Sequence, residues 1–284
     1  MGTICIAIPD SVWSAHSEQF YTQVLHGLED IAVPRGHGVL SRVARDVDEE
    51  LDALRRWAEQ LPEAVAVLKD LREDDARPLL ADRLGLPYVV ICDERDRRRS
   101  SRVTVDNVGT MRRLLQDLLD LGHRAIGHVG GPPDLRHSRW RREAYEAFSG
   151  EHALPSLTAV GDYGRLSGAE CTQRMLLGEA EPPTVIVYDN DAMAIGGCER
   201  ALELGVQVPD ELSVVAWDDS PACRTHAPEL AAIDRSPHQL GVLLGQVAAT
   251  LLRDPQNAQS IAQDPPRLVR RETLSPRRAL PSAP

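Results

Sequence analysis

The sequence predicts an α/β protein of two doubly wound, Rossmann-like lobes, and three observations carry that reading. Short β-branched runs alternate with longer stretches of helical period, the pattern of parallel strands joined by crossover helices. Two such runs, roughly residues 1–103 and 104–236, each have the size of one doubly wound unit. At 284 residues the chain exceeds the usual single-core domain, and 42% hydrophobic with 26% charged residues is ordinary globular usage.

Each element follows from its residues. The first strand, 3–8, lies in MGTICIAIPD with no basic residue before the apolar run, so it reads as a core strand and not as a signal peptide. Further strands are predicted at 38–43, 64–68, 88–92, 102–105, 125–129, 157–160, 184–188, 212–217, 231–233 and 267–271, with helices between them. The helix over 107–121 is the plainest: Val108, Met111, Leu114, Leu115, Leu118, Leu119 and Leu121 recur at helical spacing, and Gly122 follows as a stop. The closing LSPRRALPSAP holds Pro276, Pro281 and Pro284 and little to bury, so 275–284 is expected to be a disordered tail.

Composition removes several classes of function. A net charge of −11 repels phosphate backbones at long range, so nucleic-acid binding by the whole chain is not expected. The cationic stretch ERDRRRSSR, 94–102, reads as a solvated connection. Five cysteines, at 5, 92, 171, 198 and 223, are odd in number and never in C-x-x-C spacing; they suggest neither a disulfide framework nor a zinc site and fit a reducing, cytoplasmic setting. No apolar run approaches the roughly 20 residues of a membrane helix. The common signatures for phosphate binding, acyl transfer and metal hydrolysis are missing, so no catalytic residue, cofactor or metal is assigned. His123 and His128 flank a predicted strand start and read as structural, because a metal needs three or four convergent ligands.

The aromatic residues are more informative. Seven of the eleven lie in or beside segments that leave predicted strand C-termini: Trp13, Phe20, Tyr21, Trp140, Tyr163, Tyr188 and Trp217. Open α/β sheets bind ligands at that edge, and flat rings beside a few polar groups suit a sugar or a heterocycle. Asp93, Asp106, Asn107, Asp162, Asn190, Asp191, Asp218 and Asp219 gather in the same places. Asn107, Asn190 and Asp191 are explained equally well as helix caps. Asp218 directly follows an apolar strand and is the better ligand candidate, since a carboxylate accepts hydrogen bonds from vicinal hydroxyls.

The segment TVIVYDNDAMAIGGCERALELGVQVPDELSVVAWDDSPACRTHAPELAAIDRSPHQLG, 184–241, closely resembles the effector-binding core of the lactose/galactose repressor family. So do VTVDNVGTMRRLLQDLLDLGHRAIGHVGGPP, 103–133, and the arginine-bearing SRWRREAYEAF that follows. N-D-x-M-A-x-G, V-P-D-E-L-S-V-V, the Asp218–Asp219 pair and L-G-H-R-x-I together carry the likeness; the first lobe matches more loosely, through GTICIAIPD and the closing PPRLVRRET.

The resemblance implies two periplasmic-binding-protein-like lobes of type I, joined by three crossovers near 103–106, 234–237 and 260–264. The lobes would comprise 1–103 with 237–262, and 104–236 with 263–274, with an effector in the cleft and a homodimer as the usual assembly. By motif matching, Arg141 and Asp218 correspond to effector-binding residues, and Asn190, Tyr163, Asp93 and Val103 fall on further pocket positions. Phe20 and Tyr21 match a first-helix aromatic pair, and Trp217 joins the set as the residue before Asp218. Arg235 stands where a smaller polar residue is usual, and the long first loop, 11–19, carries Trp13 and His16. Family regulators begin with a helix-turn-helix headpiece that reads DNA, and this chain begins at the first strand of the effector lobe, so operator contacts would belong to a headpiece missing from it.

The function implied is the effector-sensing domain of a bacterial repressor-type transcriptional regulator, binding a sugar or sugar derivative to control operator binding allosterically, with no membrane partner. Arg141 and Arg235 keep a sugar acid or phosphate beside a neutral sugar as a candidate effector. The alternative is a solute-binding protein of a sugar transporter, which shares the fold; the lack of a secretory signal and the fit to V-P-D-E-L-S-V-V favour the regulator. An enzyme would need a nucleophile or cofactor loop that the sequence lacks. A homodimer is expected because the helices starting near Phe20 and Asp191 carry apolar residues on more than one face: Val24, Leu25 and Leu28, and Met193, Ile195 and Leu202.

Overall fold

A computed structural model describes residues 1–9, 17–96, 100–178 and 181–277. Trp13, His16 and the arginines at 97–99 lie outside the described residues, as does the tail from 278. The chain divides into two compact units, Met1–Asp106 with Ser236–Pro265 and Asn107–Arg235 with Pro266–Pro284. The first passage between them falls after Asp106 and not after Val103, because the strand Ser101–Thr104 stays in its ladder as far as Thr104, opposite Cys92.

Unit 1 is built on β1 (Thr3–Pro9), β2 (Gly38–Ala44), β3 (Ala64–Leu68), β4 (Tyr88–Cys92), β5 (Ser101–Thr104) and β11 (Ser260–Ala262), all parallel, in the order β11-β5-β4-β3-β1-β2. All five residues of the central β3, AVAVL, are buried, as expected for a strand covered on both faces. The covering helices are α1 (Ser17–Ala32), α2 (Val47–Gln60), α3 (Ala76–Leu84) and α9 (Pro237–Arg253). α2 starts where Asp46 accepts a bond from the Glu49 N–H at 2.9 Å, and Asp48, Glu49 and Glu50 put negative charge at the positive end of the helix dipole. α1 and α9 meet backbone to backbone. A Cβ on Gly27 would stand 2.1 Å from the His238 carbonyl oxygen, and one on Gly241 would stand 2.1 Å from that of Val24, so only glycine permits the approach.

Unit 2 is built on β6 (Ile126–Gly130), β7 (Leu157–Val160), β8 (Val185–Tyr188), β9 (Ser213–Ala216), β10 (Ala231–Asp234) and β12 (Arg267–Val269), in the order β12-β10-β9-β8-β6-β7. The ladders are parallel except that β12 runs antiparallel to β10. Its helices are α4 (Asn107–Asp120), α5 (Arg136–Glu151), α6 (Arg165–Leu177), α7 (Asp191–Glu203) and the short α8 (Pro221–Thr225). α4 buries Met111, Leu114, Leu115 and Leu118 and ends where Gly122 takes φ +92°, with the His123 N–H returning to the Leu118 carbonyl. One face of the sheet packs on the α4 and α5 side chains, including Tyr145 and Phe148, and another core holds Met193, Ile195 and Cys198 of α7.

Two expectations are corrected here. Val24, Leu28, Met193 and Ile195 are all core residues of their own units and Leu25 is half-buried; of that set only Leu202 is exposed. The chain also stays bonded to unit 2 as far as residue 277, the last described, so the first three residues of the expected tail belong to the fold. The Thr273 hydroxyl donates to the Val214 carbonyl at 2.7 Å and accepts from the Ala231 N–H, the Ser275 carbonyl lies 3.1 Å from His123 Nε2, and the Arg277 N–H donates to the Leu121 carbonyl. These backbone and ring bonds hold a segment that has few apolar residues of its own. Among the described residues no helix is long and apolar enough to cross a membrane.

Candidate functional site

In unit 2 the strand order reverses direction at β6, with β7 on one side and β8 on the other. The carboxyl ends of β6 and β8 therefore form the switch point at which open α/β sheets leave a crevice for ligands. Asp189 is the first residue past β8 and Gly131 the first past β6. The Gly131 N–H donates to Asp189 Oδ2 at 3.0 Å, and His128 Nε2 lies 3.0 Å from Oδ1. The Asp189 side chain is 0% exposed. Burial pushes its carboxyl up, but Arg141, His128 and the Gly131 N–H together hold it below the usual carboxylate range.

Arg141 projects from the second turn of α5 into this cluster. Its Nε donates to Asn107 Oδ1 at 2.9 Å, its Nη1 donates to the Asp189 carbonyl at 3.2 Å, and Nη1 is 3.8 Å from Asp189 Oδ1. The guanidinium carbon stands 4.3 Å from the centroid of the Trp217 ring, a cation–π contact. Burial pulls the Arg141 pKa below the usual guanidinium range and the Asp189 charge works against that pull; the group remains a cation. Asp218 leaves β9 and Arg235 leaves β10, and they form an ion pair with Nε 2.8 Å from Oδ1, each about one-fifth exposed.

The remaining predicted residues of unit 2 form the frame around this cluster. Asn190 caps α7, accepting from the Met193 N–H at 3.0 Å, and its amide donates to the Tyr163 carbonyl at 2.9 Å. That bond holds Tyr163 at φ +71°, a conformation an aromatic residue rarely adopts. The Tyr163 hydroxyl lies 2.8 Å from His137 Nε2 and 2.5 Å from Ser138 Oγ, and its ring presses on Gly131, where a Cβ would come within 2.1 Å.

In unit 1 the predicted pair is present at the equivalent edge. Phe20 and Tyr21 meet edge to face with ring centroids 5.3 Å apart, and the Tyr21 hydroxyl donates to Asp70 Oδ2 at 2.6 Å. Lys69 lies 4.8 Å from the Tyr21 ring centroid and bonds the same carboxylate at 3.1 Å. Asp93 is buried just past β4, where it accepts from the Arg95 N–H at 3.2 Å.

Four predicted residues do other work. Val103 is fully buried in the core of unit 1 with Val89 and Leu244, because its side of β5 faces the helix layer. Tyr188 is fully buried, its hydroxyl 2.6 Å from that of Thr172, and Trp140 is likewise a core residue. Trp217 is 1% exposed, so it supports Arg141 from beneath and offers no open face for stacking. The sequence reading overlooked Asp189, His137, Ser138, Lys69 and Asp70. A signal existed for one of them: Lys69 is the only lysine among 32 basic residues, and it ends an apolar strand.

The family described as periplasmic binding protein-like domain matches residues 115–274. The chain belongs to this family. The helix-turn-helix-type transcriptional repressor PurR of Haemophilus influenzae is 27% identical over 237 residues, 82% of this chain and 69% of its own. The structure of a LacI family transcriptional regulator from Bifidobacterium animalis superposes with a TM-score of 0.87 at 27% identity, covering 97% of this chain and 98% of that one. The transcriptional regulator solved as a CelR–cellobiose complex has the same fold, with a TM-score of 0.85, 21% identity and coverage of 95% and 84%. The chain is thus the effector-binding domain of a LacI-type regulator, and the regulator reading stands over that of a transporter's solute-binding protein.

Proposed function

We propose that this LacI-type domain binds a small polyhydroxylated effector, a sugar or sugar derivative, at the carboxyl edge of the unit 2 sheet, and so sets how the regulator engages its operator. The observation that carries the reading is Arg141, laid on Trp217 and oriented by Asn107 and Asp189 at the switch point, with Asp218 and Arg235 at the next strand ends. Fixed charged donors and acceptors of this kind suit vicinal hydroxyls, and the cellobiose complex of a fold neighbour supports the sugar class. An effector that favours one arrangement of the regulator shifts its population, and operator affinity with it. The reading includes no catalytic step and places the regulator in the cytoplasm, where its operator is.

A homodimer belongs to the same proposal. Its surface is assigned to the edge strand β7 and to α6, where Val160 is 49%, Leu166 69% and Leu177 64% exposed, and not to α1 and α7.

The test is calorimetric titration with whichever sugar raises the melting temperature. Asp218→Ala and Arg141→Lys are each expected to weaken binding about thirtyfold, or about 2 kcal/mol, the loss of one charge-assisted bond. Folded variants that bind as tightly as the wild type would remove the site from this edge.

A further inference from the structure

Resting on the effector reading above, we infer that Asp189 is the resident counter-ion of Arg141, and that the effector is consequently an uncharged polyol and not a sugar acid or sugar phosphate. An exposed or unpaired arginine at a ligand edge recruits an anion, because charge compensation is then the largest interaction on offer. Arg141 is in a different state. A carboxylate with no solvent exposure sits behind it, fixed by the Gly131 N–H and by His128, so the compensation is already made. Arg235 is paired more openly with Asp218, its Nε 2.8 Å from Oδ1 and each side chain about one-fifth exposed. The four charges cancel, and a carboxylate or phosphate brought onto Arg141 would enter the field of Asp189 a few ångströms beyond it.

A hydroxyl meets no such opposition. Among the described residues the Nε of Arg141 is committed to Asn107 and Nη1 to the Asp189 carbonyl, while Nη2 makes no hydrogen bond. Its N–H groups suit neutral oxygen acceptors, and the Asp218 carboxylate suits the hydroxyl hydrogens of the same ligand. Asp189 acts through Arg141, as a positioning residue that sets ligand charge without touching the ligand.

The experiment compares neutral and anionic sugars on one protein. Glucose, galactose, ribose and cellobiose are titrated against glucuronate, galacturonate and ribose 5-phosphate, with wild type, Asp189→Asn and Arg141→Lys. The expected result is a neutral binder whose acidic counterpart binds at least tenfold more weakly, and a ratio that narrows about tenfold in Asp189→Asn. Asparagine keeps the side-chain shape, and His128, whose Nδ1 is unpartnered, can move its proton there and accept at Nε2. If that variant does not fold, wild type decides alone: the affinity of the neutral binder stays level between low and high salt, whereas an anion held by an uncompensated arginine weakens steeply. A wild-type preference for the acidic sugar, or an unchanged ratio in folded Asp189→Asn, overturns the counter-ion role but leaves the site standing. No binding by any sugar, or binding indifferent to Arg141→Lys, overturns the effector reading itself.

Discussion

Replacing Arg141 by leucine separates what the residue does for the fold from what it does for a ligand. The substitution leaves the Asp189 carboxylate buried with only His128 and one backbone N–H as partners. Removing one member of a buried pair costs about 3–5 kcal/mol, and loss of the contact with Trp217 adds about 1 kcal/mol. The 3.8 Å separation of the charged atoms argues for the lower part of that range, so the expected loss is about 4 kcal/mol. For a unit of this size that corresponds to a fall of roughly 8–16 °C in melting temperature. The pH dependence gives a sharper check. In the wild type the Asp189 pKa is depressed, so its stabilisation is complete above the ordinary carboxylate value and is lost as pH falls through the folded value. In the variant burial acts without the cation and raises that pKa, which reverses the sign: the deficit shrinks as pH falls from 7 toward 5. Chemical denaturation of both proteins across that range measures it, and adding Asp189→Asn to the variant should recover about 2 kcal/mol. A deficit under about 1 kcal/mol, or one that grows as pH falls, refutes the pairing.

Two further outcomes are expected. Gly241→Ala drives a Cβ into the Val24 carbonyl and should destabilise unit 1 by about 3 kcal/mol in urea denaturation, while Gly38→Ala, with nothing within 4 Å of the new atom, stays near wild type. At micromolar concentration the chain should sediment as a dimer and Leu166→Asp as a monomer; a wild-type monomer would remove the proposed β7–α6 surface.

Strand positions were legible because the central strands are covered on both faces, which writes them as unbroken apolar runs such as AVAVL at 64–68. The three-residue β11 escaped notice, since SIA is too short to show a period. Arg141, Asp218 and Asn190 were named by motif matching, and the structure puts all three at the carboxyl edge of the unit 2 sheet, where the proposed site lies. Val103, named by motif matching, is instead closed off in the core of unit 1, since a motif records the position along a strand and not how deeply α9 covers it. Asp189 lay hidden beside Asn190 and Asp191, two good capping residues. Its role depends on β6 and β8 being neighbours, a pairing made across about 60 residues of chain that no local pattern records.

The glycine contact between α1 and α9 also sets an order of events during synthesis. α1 leaves the ribosome with Val24 and Leu28 already in place, yet the helix that covers them lies roughly 200 residues downstream. At cellular elongation rates that is a wait of roughly 10–40 s, during which α1 can pack on the strands of its own unit but lacks the α9 side of its contacts. Nearly all of unit 2 is translated in the interval, so the first helix made is among the last to have its packing completed. A nascent chain stalled before Pro237 therefore holds the whole of α1 and none of α9, so the apolar surface that Leu240, Leu244 and Val247 cover in the finished protein is still open, the kind of surface on which aggregation begins.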